Sequence, residues 1–196
     1  MKHADFSRKF LEKNIDRFIS IRHKLHMSPE LAFEEKETSA FISNYINDIG
    51  LKVSTGIGGT GLVGTLSGGN APTIGLRADM DALPILEKNI FSHVSNTDGK
   101  MHACGHDGHI TILLALAELL VREKSRPGDV HFYFQPAEEI GSGAQSMLKD
   151  DVLKRFPCDQ MIGFHNWPQL PLGVISVRHG VQMSAFQSLE VDLLCG

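Results

Sequence analysis

The sequence predicts an α/β fold with a mainly parallel central sheet flanked by helices. Three observations carry this expectation. Short strand-like apolar runs alternate with stretches whose apolar residues recur every three to four positions, the pattern of a sheet connected through helices. The run at residues 110–121 is apolar almost all round, as in a helix packed deep against a sheet. Carboxylates, imidazoles and a thiol stand just after strand-like runs or at the opening of a helix, where ligands gather in such folds. The fold is expected over residues 1–180, with a second domain starting at 181–196.

The elements follow in order. Phe6, Phe10, Ile15, Phe18, Ile19 and Leu25 mark a first amphipathic helix over residues 5–26, stopped by Pro29. Phe41, Ile42, Tyr45, Ile46 and Ile49 mark a second, with Glu34, Glu35 and Glu37 near its positive end and Gly50 just past its last turn. Leu51, Val53 and Thr55 alternate as a strand, residues 62–66 form the next, and residues 73–77 a third after a turn at 67–70. Beyond the helix at 110–121, a turn at Arg126-Pro127-Gly128-Asp129 leads into a strand at 130–134, and another strand spans residues 161–164. Residues 174–178 and 189–194 also alternate as strands.

Composition excludes several classes of function. The chain is 42% hydrophobic and 21% charged, ordinary for a folded globular protein. A net charge of -4, with Lys and Arg scattered, leaves no basic stripe for nucleic acid. The apolar run at 110–121 is too short for a bilayer span and contains Glu118. The N-terminus lacks the apolar core of a secretory signal, and three cysteines make no disulfide framework, so a reducing cytoplasm is expected. The stretch Gly56-Ile57-Gly58-Gly59-Thr60-Gly61 matches the dinucleotide-binding spacing, but a strand follows it where a helix N-terminus is required. A flexible connection between strands is the better reading.

Four clusters carry chemistry. Met101-His102-Ala103-Cys104-Gly105-His106-Asp107-Gly108-His109 brings a thiol, three imidazoles and a carboxylate together. Cys104 and His106 are two apart, so in a loop both point one way, and sulfur with imidazole suits a borderline divalent ion. A solvated loop with one buried thiol is the plain alternative. Asp79 and Asp81 follow the strand at 73–77, Glu138 and Glu139 follow the strand at 130–134, and His165 follows the strand at 161–164. Each alone reads as a turn or a solvated patch. Their joint placement at strand ends suits a metal-assisted reaction in one cleft.

Arg77-Ala78-Asp79-Met80-Asp81-Ala82-Leu83-Pro84, the stretch at 101–109, Gln135-Pro136-Ala137-Glu138-Glu139 and Gly163-Phe164-His165 together resemble the M20 metallopeptidase family. The likeness is greatest to its amidohydrolase branch of hippurate hydrolases, N-acyl-amino-acid amidohydrolases and auxin-conjugate hydrolases. Arg22-His23-Lys24-Leu25-His26 and Pro29-Glu30-Leu31 resemble that branch too. The resemblance implies two divalent ions per site (zinc, manganese, cobalt or nickel), with Cys104, His106, Glu139 and His165 at ligand positions. It implies Glu138 as general base, and Asp81, with Asp79 near it, as the group that orients a ligating imidazole. Neighbouring side chains in extended backbone face opposite ways, so one glutamate can bind metal while the other reaches water.

The implied activity is hydrolysis of the amide bond of a small N-acyl amino acid, hippurate-like or N-acetylated. The alternatives are a dipeptidase, an N-acyl-diaminopimelate deacylase, or a metal-binding fragment with impaired turnover. Members of the family are about twice this length, with an inserted lid or dimerisation domain through which the full-length form would pair. Residues 181–196 are expected to begin that domain, which marks the chain as a fragment or a truncated product.

Overall fold

The computed structural model describes residues 2–123 and 128–181. The chain divides between Asn166 and Trp167 into two units. Among the described residues, every helix and strand lies in the first: α1 (Lys2–Met27), α2 (Lys36–Asp48), β1 (Lys52–Ile57), β2 (Gly61–Leu66), β3 (Ala71–Asp79), α3 (His106–Arg122), β4 (Gly128–Gln135), α4 (Gly143–Lys149), α5 (Val152–Arg155) and β5 (Gln160–Gly163). In the second unit, residues 174–178 form no strand. Alternation alone makes no strand without a bonded neighbour, and the expected strand at 189–194 lies outside the described residues.

The sheet order is β1-β2-β4-β3-β5. β3 pairs parallel with both β4 and β5, whereas β2 pairs antiparallel with β1 and β4. The sheet is therefore mixed, not mainly parallel. The brevity of the connection at residues 58–60 makes β1 and β2 antiparallel, since a link that short joins only antiparallel neighbours. Gly58 and Gly59 take φ of 66° and 99° there, so the glycine spacing at 56–61 serves a hairpin. The crossover from β3 through α3 to β4 needs a helix, and it supplies the parallel pair at the sheet's centre.

Strand alternation divides the apolar residues between two faces. Phe132 and Phe134 of β4 join Leu62, Leu66, Ile42, Ile46, Ile110 and Leu114 in the larger core, formed with α2 and α3. Tyr133 joins Ile57, Val63, Met147 and Val152 in a smaller core formed with α4 and α5. α1 covers α3 through Phe10 and Phe18 against Ala115. Truncating a fully buried phenylalanine such as Phe132 is expected to cost about 3–5 kcal/mol. α3 starts at His106, earlier than the apolar run suggests, which puts His106, Asp107 and His109 in its first turn. Among the described residues, no helix is long and apolar enough to cross a membrane.

Candidate metal centre

The site forms at the carboxyl ends of β3, β4 and β5 and the start of α3. β3 ends on Asp79, and both Asp79 and Asp81 are fully buried. Asp81 accepts the main-chain N–H groups of Glu138 and Glu139, each at 2.9 Å, one on each carboxylate oxygen. Its main-chain carbonyl accepts from Nδ1 of His106 at 2.8 Å. A carbonyl can only accept, so Nδ1 of His106 carries a proton and Nε2 is the ring atom that faces the site. His165 repeats the arrangement, with Nδ1 2.6 Å from the carbonyl of Asn166 and Nε2 3.3 Å from Sγ of Cys104.

Gly105 precedes α3 with φ of 87°, and a Cβ there would lie 2.8 Å from Oδ1 of Asn166. Glycine takes this reversal between Cys104 and His106 without strain. Cys104, His106 and His165 offer ligand atoms within 4.8 Å of one another, and so do His106, Glu138 and Glu139. The glutamates stand in a turn, not in extended backbone. Their exposures still differ, at 38% for the Glu138 side chain and 17% for Glu139.

Asp79, His106 and His109 form a third group of similar size. Hydrogen bonding argues against an ion there. His109 uses Nδ1 on Asp79 at 2.6 Å, while its Nε2 accepts the N–H of Asn166 at 3.1 Å, so no ring nitrogen remains for a metal. Asp79 is further held by Arg77 at 2.7 Å, and Arg77 reaches Gln135 at 2.9 Å. Burial alone would raise the Asp79 carboxyl, yet His109, Arg77 and His106 hold it down at about 2.

Nε2 of His106 and Oε1 of Glu139 are buried without hydrogen-bond partners and lie 3.7 Å apart. Such groups are costly unless something binds them. Burial lowers the His106 pKa, but Asp81, Cys104 and Asp79 outweigh it and push it to about 11. Burial raises the carboxyl of Glu139, with Glu138 adding to the rise and His106 opposing it. Carboxylate oxygens of Asp79, Glu138 and Glu139 lie 3.6, 3.8 and 3.7 Å from Nε2 of His106, and a divalent cation among them would relieve their crowding. Sulfur, nitrogen and oxygen donors fit a borderline divalent ion. The clusters are consistent with a dinuclear divalent-metal site.

Residues 75–193 match the model of peptidase family M20/M25/M40. The chain belongs to this family. It is 39% identical over 178 residues to the hippurate hydrolase of Campylobacter jejuni, covering 90% of this chain and 46% of that protein. It is 41% identical over 174 residues to an IAA-amino acid hydrolase of Arabidopsis thaliana, covering 88% of this chain and 40% of the relative. The Bacillus subtilis YXEP protein, a dinuclear metal-binding peptidase of the M20 family, superposes with a TM-score of 0.76 at 39% identity, over 81% of this chain and 44% of that one. The chain spans less than half the length of each of these three proteins.

Sequence reasoning gave no role to His109, Arg77 or Glu35. His109 was in view within its histidine-rich motif, but its pairing with Asp79 crosses 30 positions. In the sequence Glu35 is one of several acids at a helix start, yet it is fully buried. No local signal separated it from its neighbours.

Proposed function

We propose that this chain forms the N-terminal part of a metal-dependent amidohydrolase that cleaves the amide between an acyl group and an amino acid. One observation carries the reading. Nε2 of His106 and Oε1 of Glu139 are buried, unpartnered and 3.7 Å apart, beside the Cys104 and His165 donors. In this reading Cys104, His106, Glu139 and His165 hold two divalent ions, and residues beyond position 180 contribute to a lid and dimerisation domain. Bound there, the ions supply Lewis acidity to a water and to the scissile carbonyl.

The chain's own groups do the rest. Glu138, with the more exposed carboxylate, takes a proton from the attacking water and returns it to the departing amine. Asp81 fixes both glutamate backbones and the His106 ring, so base and ligand keep their relative places. Asp79 acts one step further out, through His109 on the backbone of Asn166 beside His165. The hippurate and IAA-amino acid hydrolases both act on acylated amino acids, which favours that substrate class.

The experiment is removal of metal, reconstitution with zinc, manganese, cobalt or nickel singly, and assay of the full-length protein on a panel of N-acyl amino acids, N-acetyldiaminopimelate and dipeptides. Metal-dependent release of the free amino acid from N-acyl substrates is expected. Turnover restricted to dipeptides or to the diaminopimelate derivative moves the protein to another branch. Metal-independent turnover overturns the mechanism.

A further inference from the structure

Glu35 lies far from the ligand residues in sequence, just before α2, and its side chain is fully buried. Oε1 accepts the main-chain N–H of Ala137 at 2.8 Å, and Oε2 accepts the Thr60 hydroxyl at 2.5 Å. Ala137 has φ of 49°, a left-handed conformation that an alanine does not hold unaided. The carbonyl of the same residue accepts from Gly143 at 3.0 Å, and a Cβ on Gly143 would lie 1.5 Å from the oxygen of Pro136. The turn is therefore built around Ala137 on both of its peptide planes.

Ala137 comes directly before Glu138 and Glu139, whose N–H groups both go to Asp81. Three successive main-chain donors are thus held by two buried carboxylates, Glu35 and Asp81. Release of the first would let Ala137 relax to negative φ. That rotates the peptide joining it to Glu138, and both glutamate side chains swing with it.

We infer that Glu35 is a positioning residue for the glutamate pair: it holds Ala137 left-handed and so fixes where Glu138 and Glu139 point. The inference rests on the metal-hydrolase reading for its link to activity, but the geometry it asserts stands apart from any ion. It also explains a buried carboxylate that touches no candidate ligand.

The test compares Glu35→Gln, Glu35→Asp and Glu35→Met with wild type, in zinc affinity by chelator competition and in amide exchange at residues 137–139. Glutamine keeps the reach, with its carbonyl on Ala137 N–H and its amide donating to the Thr60 oxygen, so zinc affinity should stay within about threefold of wild type. Aspartate keeps the charge but is one methylene short. It should weaken zinc binding about 10- to 100-fold, the range for losing an outer partner of a metal ligand, and methionine should do at least as much. If Glu35→Met does not fold, glutamine and aspartate still decide the matter.

A merely structural role would lower the melting temperature without separating glutamine from aspartate in zinc affinity, and that result overturns the inference. So does a glutamine variant as weak as the aspartate one. If wild type itself binds no zinc, the metal reading fails and amide exchange decides the positioning. Exchange at Glu138 and Glu139 at least about tenfold faster in Glu35→Asp, with α3 unchanged, supports it. Faster exchange at Ala137 alone, or at none of the three, overturns it.

Discussion

His109 donates its Nδ1 hydrogen to Asp79 across 2.6 Å, and neither side chain is more than 2% exposed. With Arg77 on its other oxygen, the Asp79 carboxylate is fully engaged by the protein. Asparagine at this position would place its NH2 group against one of two donors. Asp79→Asn is therefore expected to destabilise the fold by about 3 kcal/mol, the scale for breaking a buried pair on one side. The urea midpoint of unfolding measures it. A loss below about 0.5 kcal/mol, the range of a neutral surface change, counts against the pairing.

A second buried carboxylate gives a pH-dependent expectation well away from the candidate site. Glu118, near the C-terminal end of α3, accepts from Tyr45 at 2.6 Å, Arg17 at 2.7 Å and Arg122 at 2.7 Å. Burial pushes its pKa up, but these three partners prevail and hold it below the ordinary 4.5. Burial and Glu118 together raise the Tyr45 phenol to about 12, so it remains a donor. A depressed carboxyl stabilises the fold above the unfolded pKa, and that contribution disappears as pH falls through the folded value. Glu118→Gln should be less stable than wild type by about 2 kcal/mol at pH 7, from hydrogen bonds to a charged group. The gap should narrow as pH falls below the ordinary 4.5 and through the depressed folded value, where wild type becomes protonated too. Urea midpoints from pH 7 downward check this, and a gap that does not narrow rules out the charge as its source.

Elements long enough to show a period were legible in the chain. α1, α2 and all five strands stand where apolar spacing placed them, while α4 and α5, of seven and four residues, are too short to carry one. Strand–helix alternation predicts parallel pairing, but it says nothing of β1 and β2, which no helix separates and which Gly58 and Gly59 join in a tight hairpin. Cys104, His106, Glu138, Glu139 and His165 are legible as candidates because they follow strand-like runs or open a helix, and the roles expected of them come from the family resemblance. What holds them is not legible. Glu35 to Ala137 spans 102 positions and Asp81 to Glu138 spans 57, and no periodicity records such partners.

The sulfur donor is tested by comparing cysteines. Cys104 faces His165 at 3.3 Å in the candidate centre, while Cys158 packs at the smaller core. A ligating cysteine binds as thiolate, and a serine hydroxyl is a poor replacement because it keeps its proton at neutral pH. Cys104→Ser should lose metal on dialysis while Cys158→Ser retains it, by elemental analysis. Equal metal content in the two variants removes Cys104 from the ligand set.

The glutamate pair separates base from ligand. Glu138→Gln keeps size and leaves the main-chain bond to Asp81 in place, but removes the group that accepts a proton from water. In the full-length protein metal content should be unchanged while kcat falls at least about 100-fold, close to 3 kcal/mol of barrier, the scale of a lost general base. Glu139→Gln should act in the other order. Its Oε1 is the buried, unpartnered oxygen 3.7 Å from Nε2 of His106, and a neutral amide there binds a cation far less well than a carboxylate. Metal occupancy should fall first and turnover with it, and excess metal should restore part of the activity in Glu139→Gln but none in Glu138→Gln. The two measurements are metal stoichiometry and kcat on an N-acyl amino acid. Metal loss in Glu138→Gln with retention in Glu139→Gln reverses the roles, and wild-type behaviour in both places the chemistry on other residues.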